Sequence, residues 1–382
     1  MSKTLVIAEK PSVGRDLARV LPGPFVKSEG YLDGPEHVIT WAVGHLVQLA
    51  EPDEYKPEWK KWRMADLPIV PERFKLVVRD ERSKKQMNVI KRQLARDDVE
   101  KVVNACDAGR EGELIFAYVY EAAGADKPVQ RLWLQSMTKG AIQEAFGHLI
   151  PAEEKHSLEQ AARSRSEADW IVGMNATRAA TIRLRSSFDG AVSLGRVQTP
   201  TLAILAKREE EIRAFEPEPY WLVDAVFAAD DGRVYEGRYH DGAKPRLATA
   251  QAAEKIVEAV RGREGEITKV DTTRRKERAP LLYDLTTLQR EANNRYGFAA
   301  RRTLAAAQRL YEEHTALTYP RTSSRFLPSD LRGEIKPIAE LLGRQPPYAQ
   351  GSRYVTGLDV LPLARVVDDK KVTDHHAIIP TR

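Results

Sequence analysis

A chain of 382 residues, 42% apolar and 30% charged, is too long for one comfortable core and predicts roughly two to four folded domains. No apolar run approaches the ~20 residues that span a bilayer, and the amino-terminal TLVIA is far shorter than a signal-peptide core, so a cytoplasmic protein is expected. The single cysteine, Cys106, excludes an internal disulfide framework and a cysteine-based zinc cluster, while 60 basic against 55 acidic residues permit a polyanionic partner without requiring one.

Residues 4–8 form an apolar run closed by Glu9-Lys10-Pro11-Ser12, and Val13, Leu17 and Val20 follow at helical spacing: a buried strand, a turn and a helix. A second strand is expected at 37–43. Between 51 and 71, Trp59 and Trp62 alternate with Lys60, Lys61 and Arg63, which suits base stacking and phosphate pairing as well as a surface loop anchored by two rings. An extended stretch at 74–79 and a helix over 83–97, spaced by Met87, Ile90 and Leu94, lead to a strand at 101–106. That strand delivers Asp107-Ala108-Gly109-Arg110-Glu111-Gly112-Glu113, a helix over 114–123 leaves from it, and 130–134 reads as one more strand. Strand and helix alternate through 1–150, which implies a largely parallel sheet.

Ligands of such sheets gather at the carboxyl ends of strands. Glu9 and Asp107 both end strands; if those strands are neighbours, Glu9, Asp107 and Glu111 converge on one crevice, with Glu113 as a further candidate. An oxygen-rich cluster of this kind suits Mg2+, which takes a few carboxylates plus water and phosphate oxygens. The two glycines let the backbone approach a ligand, and Arg110 supplies a cation.

From 151 to 215 the pattern is helical and rich in alanine and arginine, with Arg163, Arg165, Arg178, Arg183 and Arg185 recurring. SLGRVQTPT at 193–201 interrupts it, where Arg196, Gln198 and Thr199 are suited to phosphate or sugar contacts or to a structural turn. Alternation over 220–239 around Asp230-Asp231-Gly232 predicts a hairpin. A helix at 251–261 and a strand at 266–270 complete a smaller β-rich domain that starts near 216, and the basic 274–278 reads as a solvated connector.

A helix over 302–313, with Leu304, Ala307, Leu310 and Tyr311 on one face, should stop before Tyr319, because Pro320 pushes the residue before it out of the α region. In an extended segment Tyr319 and Arg321 project from one side. A cation beside a phenol, whose free pKa is about 10, favours phenolate and holds a phosphodiester oxygen; a turn with a partly buried tyrosine is the other reading of these residues. In TDHHAIIPT at 373–381 the paired histidines are better suited to a hydrogen bond onto phosphate than to joint chelation.

EKPS at 9–12, DAGREGE at 107–113, SLGRVQTPTL at 193–202, LLYDLTTLQREAN at 281–293, LTYPRTSSRFLP at 317–328 and DHHAIIPT at 374–381 stand in one order. This succession resembles the type IA DNA topoisomerases, most of all their bacterial topoisomerase III branch. The resemblance implies a multidomain α/β and α+β fold: a Toprim domain with a Rossmann-like parallel sheet at 1–150, the first part of a helical DNA-binding domain at 151–215, the first part of a β-rich arch at 216–270, and a mainly helical domain at 271–382 carrying the catalytic tyrosine. It implies that Tyr319 forms a 5′-phosphotyrosine bond with single-stranded DNA, that Glu9 protonates the departing 3′ oxygen, and that Lys10 and Arg321 steady the phosphate. Glu9, Asp107 and Glu111 would hold Mg2+, His375 would touch phosphate, and Arg110, Arg165, Arg178, Ser193, Arg196, Gln198 and Thr199 would bind DNA. The implied substrates are single-stranded and negatively supercoiled or catenated DNA, handled without ATP by a monomer at the nucleoid alongside a helicase or single-strand-binding protein.

Two departures accompany the resemblance. Many relatives carry an aspartate where this chain has Gly109, and the family continues past DHHAIIPT, so the chain is expected to lack half of the helical domain and of the arch. The alternatives are a remnant that binds single-stranded DNA without completing strand passage, and a Toprim primase or nuclease acting without Tyr319.

Overall fold

The computed structural model describes residues 2–242 and 244–381. They fall into two compact units, one made of the 1–196 and 280–382 segments and the other of Val197–Ala279.

The first unit is founded on β1 (Lys3–Ala8), α1 (Pro11–Val20), β2 (Val26–Ser28), β3 (Tyr31–Asp33), β4 (His37–Trp41), β5 (Val47–Leu49), β6 (Leu76–Val78), α2 (Glu81–Leu94), β7 (Val99–Ala105), α3 (Arg110–Ala123), β8 (Val129–Arg131), α4 (Lys139–Gly147) and β9 (Ile150–Pro151). Seven strands form one sheet in the order β2-β3-β4-β1-β7-β8-β9, and β5 pairs with β6 separately. The centre β4-β1-β7-β8 is parallel and both edges are antiparallel. Leu5, Val6, Ile7 and Ala8 are fully buried, the continuous apolar run of a strand covered on both faces. Alternate side chains point to opposite faces: Leu5 and Ile7 pack with Met87 and Ile90 of α2 and Ile115 of α3, Val6 with Leu17 of α1 and Ile142 of α4.

Among the boundaries that differ from expectation, two helix starts have local reasons. The helix expected at 83 starts at Glu81, because the Asp80 carboxylate caps it by accepting from the Ser83 amide at 2.7 Å. The helix expected at 114 starts at Arg110, so Arg110 and Glu111 occupy its first turn.

Helix α5 (His156–Leu184) clamps the 51–71 segment. Trp170 Nε1 donates to the Ala50 carbonyl at 3.0 Å, and the Asn175 amide both accepts from Ile69 N at 2.6 Å and donates to Ile69 O at 2.8 Å.

The second unit contains α6 (Gln198–Arg213), β10 (Asp224–Ala228), β11 (Val234–Arg238) and α7 (Ala250–Val260). The predicted hairpin is present, turning at Gly232 with φ +83° and carrying stacked Phe227 and Tyr235 rings with centroids 5.0 Å apart. Residues 266–270, expected as a strand, form none: Ile267 and Val270 are 65% and 77% exposed, and alternation without a partner edge closes no ladder.

Back in the first unit, α8 (Leu285–Tyr296), α9 (Ala300–Glu312), α10 (Ile335–Leu342) and α11 (Ala349–Thr356) form a second layer with its own core of Leu327, Leu331, Val367 and Ala377. After α9 the chain turns through Thr315 at φ +48°. Leu317 then bridges to Pro380, Thr318 N donates to Ile379 O at 2.9 Å, and Tyr283 bridges to Ile378. The segment holding Tyr319 is thus extended, as Pro320 requires, and lies alongside the segment holding His375. Among the described residues no helix is long and apolar enough to cross a membrane.

Candidate active site

The site begins where β1 and β7 end side by side, with Ala8 opposite Ala105, so Glu9, one residue on, and Asp107, two residues on, face one crevice. Asp107 is held there by its backbone. A Cβ on Gly112 would lie 2.0 Å from the Asp107 carbonyl oxygen, so only glycine permits this turn. Beneath it, Arg131 is 1% exposed and donates to the carbonyls of Cys106 and Asp107, each at 2.7 Å, while its Nε pairs with Glu113 Oε1 at 2.5 Å.

Lys10 bridges the two acids. Its Nζ stands 2.9 Å from Glu9 Oε1 and 2.5 Å from Asp107 Oδ2. The Asp107 amide donates to Glu9 Oε2 at 3.3 Å. His375 Nε2 lies 3.0 Å from the same Asp107 oxygen. Burial pushes the Asp107 carboxyl up, but the hydrogen bond from His375 and the charge of Lys10 together hold it well below the carboxylate range. Glu9 goes the other way: burial first, then the charge of Asp107, raise it against the pull of Lys10. Burial alone would lower Lys10, yet the facing charges of Asp107, Glu9 and Tyr319 hold its ammonium well above the lysine range.

Tyr319 completes the cluster from the other layer. Lys10 Nζ is 4.4 Å from its ring centroid, the His375 ring is 4.4 Å away, and Tyr311 packs edge-on at 5.3 Å. The expectation that a neighbouring cation would favour phenolate needs correction. Burial raises the phenol, Lys10 lowers it, and Asp107 and Glu9 raise it again, so the balance favours the neutral form. The cation at the ring is Lys10. Arg321 Nε reaches Gln308 Oε1 at 3.4 Å, and its side chain lines, with Lys10, Arg15, Arg82 and Tyr319, a groove of about 630 Å3.

The expected convergence of four carboxylates is not what the structure holds. Glu111 turns away to His45 Nε2 at 2.7 Å and lines another groove with Arg110, Arg165 and Asp169. Glu113 is spent on Arg131. His45 lies far from Glu111 in the chain and carries no motif, so nothing in the sequence pointed to this pair. Asp374 was also missed: its carboxyl carbon is 2.5 Å from where a Cβ on Gly109 would sit, so the close approach that this glycine permits is made by the protein itself.

Of the expected DNA contacts, Arg165 and Arg196 are exposed and share Asp169, at 3.7 and 2.9 Å, and Ser193 is exposed. Gln198 and Thr199 open α6 in the second unit. Arg178 is a structural residue instead. It is 4% exposed, donates to the Trp59 carbonyl at 2.7 Å and lies 5.3 Å from the Trp62 ring centroid. The Trp59 carbonyl and the Trp62 ring therefore anchor their loop to α5. Arg178→Ala should cost about 1–3 kcal/mol and speed proteolysis of 51–71, as thermal melts and limited digestion would show. A variant that melts like the parent but binds single-stranded DNA weakly would contradict this.

Mg2+ binds through one or two carboxylates plus waters and phosphate oxygens, and Glu9 and Asp107 converge on a single cation position that the Lys10 ammonium takes here. Those two acids fit such an ion. Among the described residues no group of three or more His, Cys, Asp or Glu side chains is gathered to hold a metal, and Glu111 stands outside the pair.

Two family models match the chain. A family model described as DNA topoisomerase matches residues 153–382, and one described as Toprim domain matches 4–137. A DNA topoisomerase 3 of Bacillus subtilis strain 168 is 47% identical over 381 residues, covering 100% of this chain and 51% of the relative. A second, of Bacillus cereus strain ATCC 14579, is 42% identical over 383 residues, again covering 100% and 51%. The full-length topoisomerase I from Thermotoga maritima shares the fold, with a TM-score of 0.62 at 21% identity over 99% of this chain and 55% of that one. The chain spans about half the length of the curated relatives it matches.

Proposed function

Because the chain belongs to the type IA DNA topoisomerase family, we propose that it cuts and rejoins single-stranded DNA in the manner of a topoisomerase III, with Tyr319 as nucleophile. The observation that carries this reading is the meeting of Glu9, Lys10, Asp107, Tyr319 and His375 at one point, where two layers of the fold face each other.

The phenolic oxygen attacks phosphorus, the bond from phosphorus to the 3′ oxygen breaks, and the phenolic proton leaves to solvent. Glu9, whose hold on a proton is strengthened by burial and by the charge of Asp107, acts as the acid that gives a proton to the departing 3′ oxygen. Lys10 and the groove's Arg321 neutralise the phosphate as charge builds on it, and His375, anchored on Asp107, offers a hydrogen bond. The 5′-phosphotyrosine ester conserves the energy of the broken bond, so rejoining needs no ATP: the 3′ hydroxyl attacks phosphorus and returns its proton to Glu9, the bond from phosphorus to the Tyr319 oxygen breaks, and the departing phenolate regains a proton from solvent. Glu9 and Asp107 would hold Mg2+, which when bound offsets phosphate charge and steadies the ends for rejoining. Negatively supercoiled or catenated DNA as substrate, a cytoplasmic site of action, a monomeric state and a helicase or single-strand-binding partner rest on the family alone.

The test is covalent capture. After mixing with an oligonucleotide labelled at its 3′ end and denaturing, label should travel with the protein; a chain that captures none under any divalent-ion condition defeats the proposal and favours a DNA-binding remnant. Glu9→Gln keeps the nucleophile but has no acidic proton, so adduct formation should slow on the order of 10²–10⁴-fold, measured as single-turnover capture.

A further inference from the structure

Outside the reaction centre, one charged group joins the two layers of the first unit. Asp330, just ahead of α10, offers a single carboxylate oxygen to two hydroxyls of the sheet layer: Ser136 Oγ and Thr138 Oγ1 both donate to Oδ2 at 2.7 Å. The donors lie 194 and 192 residues away in sequence. They sit on the short connection between β8 and α4, where Thr138 also caps α4 by accepting from the Ala141 amide at 3.2 Å. Beside them, Gln135 Nε2 donates to Thr373 O at 2.9 Å.

We propose that Asp330, with Ser136 and Thr138, is a latch that sets how readily the Tyr319 layer lifts from the sheet layer. Three features support a latch over a fixed strut. Hydrogen bonds to a carboxylate are stronger than neutral ones, so two of them bias the closed state. Asp330 is exposed, so on opening the carboxylate exchanges hydroxyls for water rather than being left unsatisfied. The two layers keep separate buried cores, so parting them need not unfold either. Asp330 is therefore a positioning residue: it acts on Tyr319 by holding the layer that carries it. The latch itself does not depend on the DNA-cutting reading; only its use in separating cut ends does.

The chain contains its own reporter. Cys106, the single cysteine, is buried and lines the cavity of about 270 Å3 between the layers, together with Val13 and Leu134 on one side and Leu317 and Tyr319 on the other. In the full chain without DNA, a thiol-reactive dye should label Cys106 on the order of 10-fold faster in Asp330→Ala than in the parent, with an unchanged melting temperature. Asp330→Asn, which keeps one acceptor oxygen, should fall between. Ser136→Ala, which leaves the Thr138 cap on α4 in place, should also fall between, and adding it to Asp330→Ala should bring no further rise, because both changes act on the same carboxylate contact. An unchanged labelling rate overturns the latch, as does an additive rise or a rise that appears only in step with a lower melting temperature. Covalent capture of labelled oligonucleotide, measured separately on the parent, reports on the cutting reaction, so either idea can fail without the other.

Discussion

Replacing Tyr319 with phenylalanine is expected to abolish the covalent DNA adduct, a loss on the order of 10⁴-fold or more, as for removal of other enzymic nucleophiles. The variant changes one atom. Its ring keeps the faces that meet Lys10, Tyr311 and His375, and the extended segment stays fixed by Leu317 and Thr318 against Pro380 and Ile379, so fold and single-strand binding should survive. The readout is label retained on denatured protein beside a filter-binding control on the same preparation. Label still captured by the phenylalanine protein would mean that another side chain attacks, and the role given to Tyr319 would fall.

Arg131→Met should produce the largest loss of stability, about 3–5 kcal/mol. The change strands Glu113, which is buried beside it, and burial already raises that carboxyl. It also removes the donors on the carbonyls of Cys106 and Asp107, so the loop carrying Asp107 should loosen. Adding Glu113→Leu should recover the part of the stability lost to the stranded charge, while the carbonyls that Arg131 served stay without their donor. It should not recover adduct formation, since the donor to the Asp107 carbonyl stays missing. Urea titration measures the first effect and covalent capture the second; a double variant that regains both would show that Arg131 matters to the pair alone.

What the sequence made legible was local in origin. Periodicity marks β1, α1 and β7, Gly232 marks the hairpin, and Pro320 ends the helical pattern, because each follows from backbone sterics or from one buried face. That Glu9 and Asp107 share a crevice also follows, since both end strands that turn out to be neighbours. Partner choice was not legible. Glu111 and Glu113 look alike in DAGREGE, yet in α3 they point about 200° apart, one toward His45 and the other into the core at Arg131. Arg178 reads like the other arginines of its helix until its burial beneath the Trp59 loop is seen. The phenol's preference for its proton was likewise hidden, because it depends on burial and on two carboxylates delivered by the opposite layer.

The contacts that build the site are long in sequence: His375 and Asp107 are 268 residues apart, and Tyr311 and Ser12, which meet at 3.2 Å, are 299 apart. Such contacts form late, after most of the loop-closure entropy has been overcome. During synthesis the sheet can fold as soon as β9 has emerged, yet the nucleophile then lies far downstream and its histidine later still. If Tyr319 acts as proposed, a growing chain on the ribosome has no means of cutting DNA until both ends of this stretch have found each other.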